Sequence, residues 1–252
     1  MISRTKKSNT KNRFPSYTAP TLFHMNDIEK RILFEDNHLV IINKLPGEIV
    51  QGDKTGDVPL VEKVRAYLKE RYRKPGNVFC GLVHRIDRPV SGAVIFAKTS
   101  KALTRMNAML QTRAIKKIYW AVIEGNITEP EQRLIHFLKK NEKLNKSFPV
   151  ADEKAGQRAE LHYTNLFQLD NYTLLEVELM TGRHHQIRVQ LSAIGHPIKG
   201  DLKYGAARSN EDHSISLHAR KVEFIHPVSK ETISVIAPTP IQGIWKHIPQ
   251  NC

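Results

Sequence analysis

The chain has few cysteines and no long apolar run. Cys80 and Cys252 are its two cysteines in 252 residues, too few for a disulfide framework or a thiolate metal cluster. No apolar run approaches the roughly 20 residues of a membrane-spanning helix, and the basic first eleven residues are not followed by the apolar segment of an export signal. The sequence therefore predicts a cytoplasmic protein without a membrane partner.

Common signature motifs of cofactor and metal enzymes are also missing. The sequence contains no Gly-x-x-x-x-Gly-Lys phosphate loop, no Gly-x-Gly-x-x-Gly dinucleotide turn and no His-Glu-x-x-His zinc helix, which excludes most nucleotide-driven enzymes and zinc hydrolases. One alternative metal site combines His184, His185, His196 and Asp201. Adjacent residues on a helix point in different directions, so no metal is predicted.

Acidic residues are outnumbered by basic ones. There are 39 Lys and Arg residues against 25 Asp and Glu, a formal net charge of +14. Such an excess favours a polyanionic partner, and nucleic acid leads because phosphate contacts by Lys and Arg supply most non-specific affinity. A basic solubility surface is the alternative. A membrane surface is disfavoured, since no basic amphipathic helix with a broad apolar face is evident.

The order of apolar patterns indicates one domain. Strand patterns outnumber helical ones, no regular βαβ alternation occurs, and no linker interrupts residues 27–249. The sequence predicts an α+β fold, a single domain over 27–252 with a mainly antiparallel mixed β-sheet flanked by helices and loops. Residues 1–26, basic and poor in apolar side chains, are predicted to be a flexible N-terminal tail. Met25 is an alternative start of the chain.

Three helices and one irregular region are predicted. A hairpin is expected over 32–42, followed by a helix over 57–74 with Asp57 as cap and Pro59 in its first turn. Ser100 is expected to cap the second helix, and Thr181 the third. For 126–158 we expect short strands and basic loops.

One carboxylate stands among cations in the stretch 84–92, HRIDRPVSG. Asp87 is flanked by Arg85 and Arg88, and Pro89 and Gly92 mark a turn or loop. Guanidinium neighbours favour the charged carboxylate, which could serve as a nucleophile or charge stabiliser. A structural ion pair closing a surface turn is the alternative.

Three stretches, taken in order, resemble the motifs of the RluA-type RNA pseudouridine synthases. They are 84–92 (HRIDRPVSG), 117–125 (KIYWAVIEG) and 181–188 (TGRHHQIR), and the similarity continues through 195–198 (GHPI), 200–201, 204–205 and 217–219. It spans roughly residues 30–240. The resemblance implies isomerisation of a uridine within RNA, in which the base leaves the sugar at N1 and rejoins through C5, without a cofactor or metal.

The resemblance also implies roles for particular residues. Asp87 would be the catalytic carboxylate, attacking either the ribose C1′ or the uracil ring. Tyr119 would stack on the uracil and is the candidate for removing the C5 proton, although an ordinary phenol is too weak a base to do so unaided; a core aromatic is its alternative. Arg188 is the expected ion-pair partner of Asp87, with Arg183 the alternative partner.

Four residues are predicted to bind RNA: Arg85, Arg183, Arg88 and His84. Arg85 could fill the space of a uridine that has left its stack, or simply pair with Asp87. Arg183 could bind a phosphate. The family pattern usually has Thr where this chain has His184, and often His where it has Gln190. These departures concern substrate contacts and leave the Asp, Tyr and Arg positions intact.

The sequence also bears on the class of RNA substrate and on the oligomeric state. About 30 residues before the domain cannot encode the extra RNA-binding module of many relatives, which favours the compact members that act on tRNA or ribosomal RNA. A monomer without an obligate protein partner is expected. A catalytically idle RNA-binding protein on the same fold, and a hydrolase that releases free uracil, are the competing functions.

Overall fold

The computed structural model describes residues 27–249, and one large sheet dominates it. Its eleven strands are β1 Ile32–Glu35, β2 Leu39–Lys44, β3 Gly81–Leu82, β4 Ser91–Ala97, β5 Lys116–Glu124, β6 Glu131–Asn141, β7 Lys146–Val150, β8 Gln157–Gln168, β9 Tyr172–Leu179, β10 Leu217–Ile225 and β11 Thr232–Ile236. Three helices have both ends within the described residues, α1 Leu60–Arg71, α2 Ser100–Gln111 and α3 Gln186–Ala193, and 3₁₀ turns lie at Leu202–Tyr204 and Gly243–His247.

The strand order is β1-β2-β4-β10-β5-β9-β8-β6-β7, with β11 beside β10 and β3 beside β4. The pairing of β10 with β4 is parallel, whereas the other described strand pairs are antiparallel. This mixed sheet with few helices confirms the predicted α+β class. The parallel pair matters for function, because it joins the strand after Asp87 to the centre of the sheet.

The centre of the sheet is buried on both faces. Strand β2 alternates sides: Val40 and Ile42 belong to a core cluster that includes side chains of α1 and α3. Leu39 and Ile41 belong to a second cluster with Ala102 and Met106 of α2. This double coverage explains why every residue of β4 is buried, and it makes the strand a rigid base for the loop that precedes it.

The helix caps differ from those predicted. Helix α1 begins at Leu60 with Pro59 as its N-cap and no side-chain capping bond, because the Asp57 carboxylate instead pairs with Arg88 at 2.6 Å. Helix α2 is capped by Thr99, whose hydroxyl accepts from the Ala102 amide at 3.1 Å. The predicted caps Asp57 and Ser100 were therefore wrong, although both helices exist.

The region 126–158 is more regular than predicted. Strand β6 has 11 residues and pairs with both β7 and β8. Only Leu134 and Leu138 of β6 are buried, so its apolar pattern is too sparse to predict a long strand from sequence. The turn between β6 and β7 contains Asn145 with a φ of 44°, a conformation that Asn tolerates better than most residues.

Helix α3 starts four residues later than predicted, with His185 rather than Thr181 as its N-cap. Thr181 does not cap it; its hydroxyl lies 2.7 Å from the Gln186 side-chain oxygen, which also accepts from the Arg183 amide at 2.9 Å. His185 takes a left-handed conformation with a φ of 55°. Residues 181–185 therefore form a loop tied to the first residue of α3, and this loop presents two histidines side by side.

Some predictions concern parts of the chain that the structure does not test. The basic tail at 1–26 and residues 250–252 lie outside the described residues. Within 27–249, no helix has the length and apolar character needed to cross a membrane.

Gly92 is the glycine that the parallel strand pair requires. It lies in β4 rather than in the loop predicted for it, with a φ of 114°. An added Cβ would collide with the backbone of its partner Ala219. We expect Gly92→Ala to lower the free energy of unfolding by about 3 kcal/mol or more, as measured by urea denaturation.

Gly52→Ala is the matched control, because a Cβ at Gly52 meets no atom within 4 Å. We expect it to change stability by less than about 0.5 kcal/mol. Equal effects of the two substitutions would show that the contact between β4 and β10 does not demand glycine.

Candidate active site

Asp87 lies in a tightly fixed loop between β3 and β4. Its carbonyl oxygen accepts from the Val90 amide at 3.0 Å, which closes a turn, and the Pro89 carbonyl accepts from the Ile215 amide at 3.1 Å. The predicted turn at Pro89 is thus present. The first bond fixes the shape of the loop, and the second joins it to the segment that precedes β10.

Lys44 holds the same loop from below. Its side chain is fully buried at the end of β2, and Nζ donates to the carbonyl oxygens of Leu45, Arg88 and Val90 at 2.8, 3.1 and 2.7 Å. Burial lowers the pKa of Lys44 to about 7. Three acceptors match the three protons of an ammonium group, so this side chain ties two residues of the Asp87 loop to β2.

We expect Lys44→Met to loosen the loop without changing any group that faces the substrate. The loss leaves buried carbonyls without a donor and should cost about 2–3 kcal/mol of stability. Displacement of Asp87 should reduce turnover about tenfold to a hundredfold. Urea denaturation and turnover of the same preparations test this.

Lys54→Met, an exposed site, is the control for loss of a lysine charge. Full activity of the Lys44 variant, together with native stability, would show that the Lys44 side chain does not hold the Asp87 loop in place.

Arg188 connects Asp87 to a second carboxylate. Its Nη1 donates to Asp87 Oδ2 at 3.0 Å, while Nε and Nη2 donate to the two Asp201 oxygens at 2.6 and 2.8 Å. Burial opposes the charge of Arg188, but the hydrogen bonds and charges of Asp201 and Asp87 raise its pKa. A permanently charged guanidinium therefore sits between two carboxylates, and the Asp201 fork fixes its plane.

His185 approaches the same oxygen of Asp87. Its Nε2 lies 3.5 Å from Asp87 Oδ2, and its Nδ1 lies 2.9 Å from the Tyr204 hydroxyl, which also accepts from the Ser147 amide. Burial lowers the pKa of His185 to about 3 despite the nearby Asp87, so the ring is neutral at neutral pH. A Tyr204 hydroxyl that donates to Nδ1 leaves the ring proton on Nε2, facing Asp87.

Tyr119 lies on β5, and its side chain is nine-tenths buried. Burial and the negative charge of Asp87 raise its pKa. The phenol therefore keeps its proton in the free protein. Its ring belongs to the same core cluster as Ile187 and Leu191 of α3, which places it on the sheet face that α3 covers.

The structure separates the four predicted RNA contacts. Arg85 is exposed, and among the described residues no ion pair joins it to Asp87. Arg88 is occupied by Asp57 on the surface. Arg183 is not the partner of Asp87; its Nε donates to the Arg158 carbonyl at 3.0 Å.

His84 points away from the loop surface. Its Nε2 accepts from the Ile95 amide at 3.2 Å, and burial lowers its pKa to about 3. This ring nitrogen is used inside the protein, and the RNA contact of His84 stays a prediction. His84 instead ties the loop to β4.

Asp201, His185, Tyr204 and Lys44 were not predicted to act with Asp87, although His185 and Asp201 were considered as metal ligands. Three of them fall in segments that match the family, namely 181–188, 200–201 and 204–205, so the family motifs offered a signal. Lys44 offered none, because a lysine in a short strand pattern is ordinarily exposed.

The alternative metal site is not formed. Asp201 is occupied by Arg188, and His196 Nδ1 bonds the Glu124 carbonyl at 3.0 Å. Within the described part of the chain, no group of three or more potential ligands could hold a metal ion. The assumption that His184 and His185 diverge was also wrong: their rings stack at 3.8 Å, since they lie in a loop.

Comparison with known families identifies the family of this chain. The family model described as RNA pseudouridylate synthase matches residues 38–193, which include Asp87, Tyr119 and Arg188. The chain belongs to this family. It is thus an RNA pseudouridine synthase, an isomerase, and the resemblance to RluA-type enzymes is confirmed.

Curated relatives agree with this assignment, and a solved structure shares the fold. The chain is 36% identical over 227 residues to "Ribosomal large subunit pseudouridine synthase C" of Buchnera aphidicola, covering 87% of this chain and 70% of that protein. It is 32% identical over 238 residues to "Ribosomal large subunit pseudouridine synthase D" of Zymomonas mobilis, covering 90% of this chain and 73% of that protein. The solved structure of human RNA pseudouridylate synthase domain containing 4 has a TM-score of 0.72 at 21% identity, over 86% of this chain and 91% of that one.

Proposed function

We propose that this pseudouridine synthase isomerises uridines in ribosomal or transfer RNA, with Asp87 as its catalytic carboxylate and without a cofactor. The observation that carries the proposal is the set of contacts on Asp87 Oδ2, which lies 3.0 Å from Arg188 and 3.5 Å from His185. The carboxylate is one-third exposed. It is therefore held at a fixed position and remains accessible to a nucleotide.

The reaction needs a carboxylate at the place where the base leaves the sugar. The C1′–N1 bond breaks, a C1′–C5 bond forms, C5 loses its proton and N1 gains one. Asp87 can act as a nucleophile on the ribose or the ring, or stabilise positive charge that develops on the ribose. Arg188 and Asp201 act through Asp87 by holding its orientation, and are positioning residues.

The target uridine must leave its stack to reach Asp87. Arg85 is an exposed cation of the Asp87 loop, and within residues 27–249 it is not held by a carboxylate as Arg88 is by Asp57. We therefore assign Arg85 to the vacated space in the RNA, where a planar guanidinium can stack. Arg88 is expected to contribute positive charge at the surface beside the Asp87 loop. Ribosomal RNA is the first candidate substrate because the relatives above are named for the large ribosomal subunit; transfer RNA is the alternative.

Tyr119 is proposed to pack against the uracil and to assist removal of the C5 proton. Its raised pKa keeps the phenol protonated, so it must transfer its own proton before it can accept another. We expect Tyr119→Phe to lower kcat about a hundredfold or more while KM changes little, because the ring remains. Steady-state turnover at several RNA concentrations provides the measurement.

An unchanged kcat in Tyr119→Phe would remove the hydroxyl from the mechanism and leave Tyr119 as a packing residue.

Product analysis separates the proposed function from its competitors. Purified protein is incubated with large-subunit ribosomal RNA and, separately, with total transfer RNA, and the digested nucleosides are resolved by mass spectrometry. Pseudouridine formed in proportion to turnover supports the synthase. Free uracil would indicate a glycosidic hydrolase, and tight binding without either product would indicate an idle RNA-binding protein.

A further inference from the structure

A cavity lies beside the active site, between the β6–β7 hairpin and the loop 181–185. Its volume is about 390 Å³, within the range of small-ligand sites. Its polar lining consists of Lys139, Lys140, Ser147, Gln157, Arg183 and His184, and no carboxylate is among the described residues that line it. Such a lining suits an anionic, hydrogen-bonding ligand.

Two stacked rings join this cavity to the catalytic carboxylate. The His184 ring, in the cavity wall, lies 3.8 Å from the His185 ring at an interplanar angle of 23°. His185 Nε2 in turn lies 3.5 Å from Asp87 Oδ2. One wall of the cavity is therefore linked to Asp87 through these two rings.

The cations of the cavity come from both walls. Lys140 lies opposite Ser147 in the β6–β7 pair. Burial of the His184 ring is the largest cause of its lowered pKa, and the positive charge of Lys140 lowers that pKa further. Lys140 also pairs with Glu142, which is 78% exposed, a pair that solvent makes weak. Arg183 is anchored through Nε by the Arg158 carbonyl, which fixes its guanidinium on the other wall.

Polar contacts hold the hairpin wall in place. His184 Nδ1 lies 2.9 Å from Ser147 Oγ, and His184 Nε2 lies 3.1 Å from Asn145 Oδ1. The Ser147 amide donates to Tyr204, the same tyrosine that contacts His185. Because these contacts exist before a ligand binds, binding in the cavity would cost little free energy for ordering the side chains that line it.

We propose that this cavity binds the phosphate and ribose of a nucleotide adjacent to the target uridine, with Lys140 and Arg183 as the phosphate contacts and His184 as a polar side wall. The inference rests on the proposed function, because it takes RNA with a uridine at Asp87 as the substrate. The inference adds a binding site and gives the β6–β7 hairpin a role in RNA binding.

The test uses a synthetic RNA stem–loop that contains the uridine identified by product mapping. Single phosphates on either side of that uridine are replaced by uncharged methylphosphonates, and affinity is measured for the wild-type chain and for K140Q/R183Q. We expect one adjacent methylphosphonate to weaken wild-type binding about tenfold, and the variant to bind the unmodified RNA about tenfold more weakly. The same methylphosphonate should have no further effect on the variant.

K143Q removes the same charge from the turn of the same hairpin, outside the cavity lining, and should change affinity less than twofold. The KM of K140Q/R183Q for the unmodified RNA should rise about tenfold, in line with its weaker binding. In a plot of log affinity against log salt concentration, the magnitude of the slope should fall by about one or two for K140Q/R183Q.

Methylphosphonate losses of equal size in the wild type and in K140Q/R183Q would overturn the inference, as would an unchanged affinity of the variant. These outcomes are distinct from failure of the proposed function, which appears earlier as a wild-type protein that forms no pseudouridine in either RNA.

Discussion

Asp87→Asn is expected to reduce pseudouridine formation by at least about 10³-fold. The substitution preserves the size of the side chain and removes its charge and nucleophilicity. Arg188 retains its two bonds to Asp201, so the surrounding structure should persist. Single-turnover kinetics with the mapped RNA substrate measures the loss directly.

Stability and RNA affinity serve as internal controls for this variant. The unfolding midpoint should change little. The affinity for RNA should stay within a few-fold of wild type, because Asp87 carries no positive charge that could bind the phosphate backbone. Asp53→Asn makes the same chemical change at an exposed residue and should leave turnover unchanged. Turnover by Asp87→Asn within tenfold of wild type would mean that another group performs the reaction.

The second large effect is expected at the buried pair of Arg188 and Asp201. The side chains are 6% and 1% exposed, so Arg188→Gln leaves a carboxylate buried without its cation. We expect this to cost about 3–5 kcal/mol in the free energy of unfolding. Loss of the guanidinium also frees Asp87 to move, and turnover should fall at least about a hundredfold.

The double variant Arg188→Gln/Asp201→Asn separates these two effects. With both charges removed, it should recover at least about 2 kcal/mol of the stability lost by the single variant, yet remain as inactive. Urea denaturation and turnover are measured on the same preparations. A double variant that is as unstable as the single one would show that the pair does not act through its buried charge.

Much of the fold could be predicted from local patterns, and the exceptions have physical causes. Strands such as β9 stand out because β-branched and apolar residues fill them. The long strand β6 does not, since one of its faces is solvated and only Leu134 and Leu138 reach the core. The start of α3 was misplaced because the left-handed conformation of His185 depends on tertiary contacts.

The site shows the same division. The pairing of Asp87 with Arg188 was predicted, and the structure places them 3.0 Å apart across 101 positions of sequence. The role of Lys44 could not be predicted, because its acceptors are carbonyls brought together by the strands β2 and β4. The contact of His84 could not be predicted for a similar reason: local sequence does not reveal that its ring faces the Ile95 amide.

One measurement tests the central claim most directly: mapping pseudouridines in total RNA from cells that lack this gene and carry either the wild-type chain or Asp87→Asn at equal protein level. We expect at least one uridine in ribosomal or transfer RNA to be modified with the wild-type chain and to remain uridine with Asp87→Asn. Restoration of that pseudouridine by Asp87→Asn would contradict the account of the site.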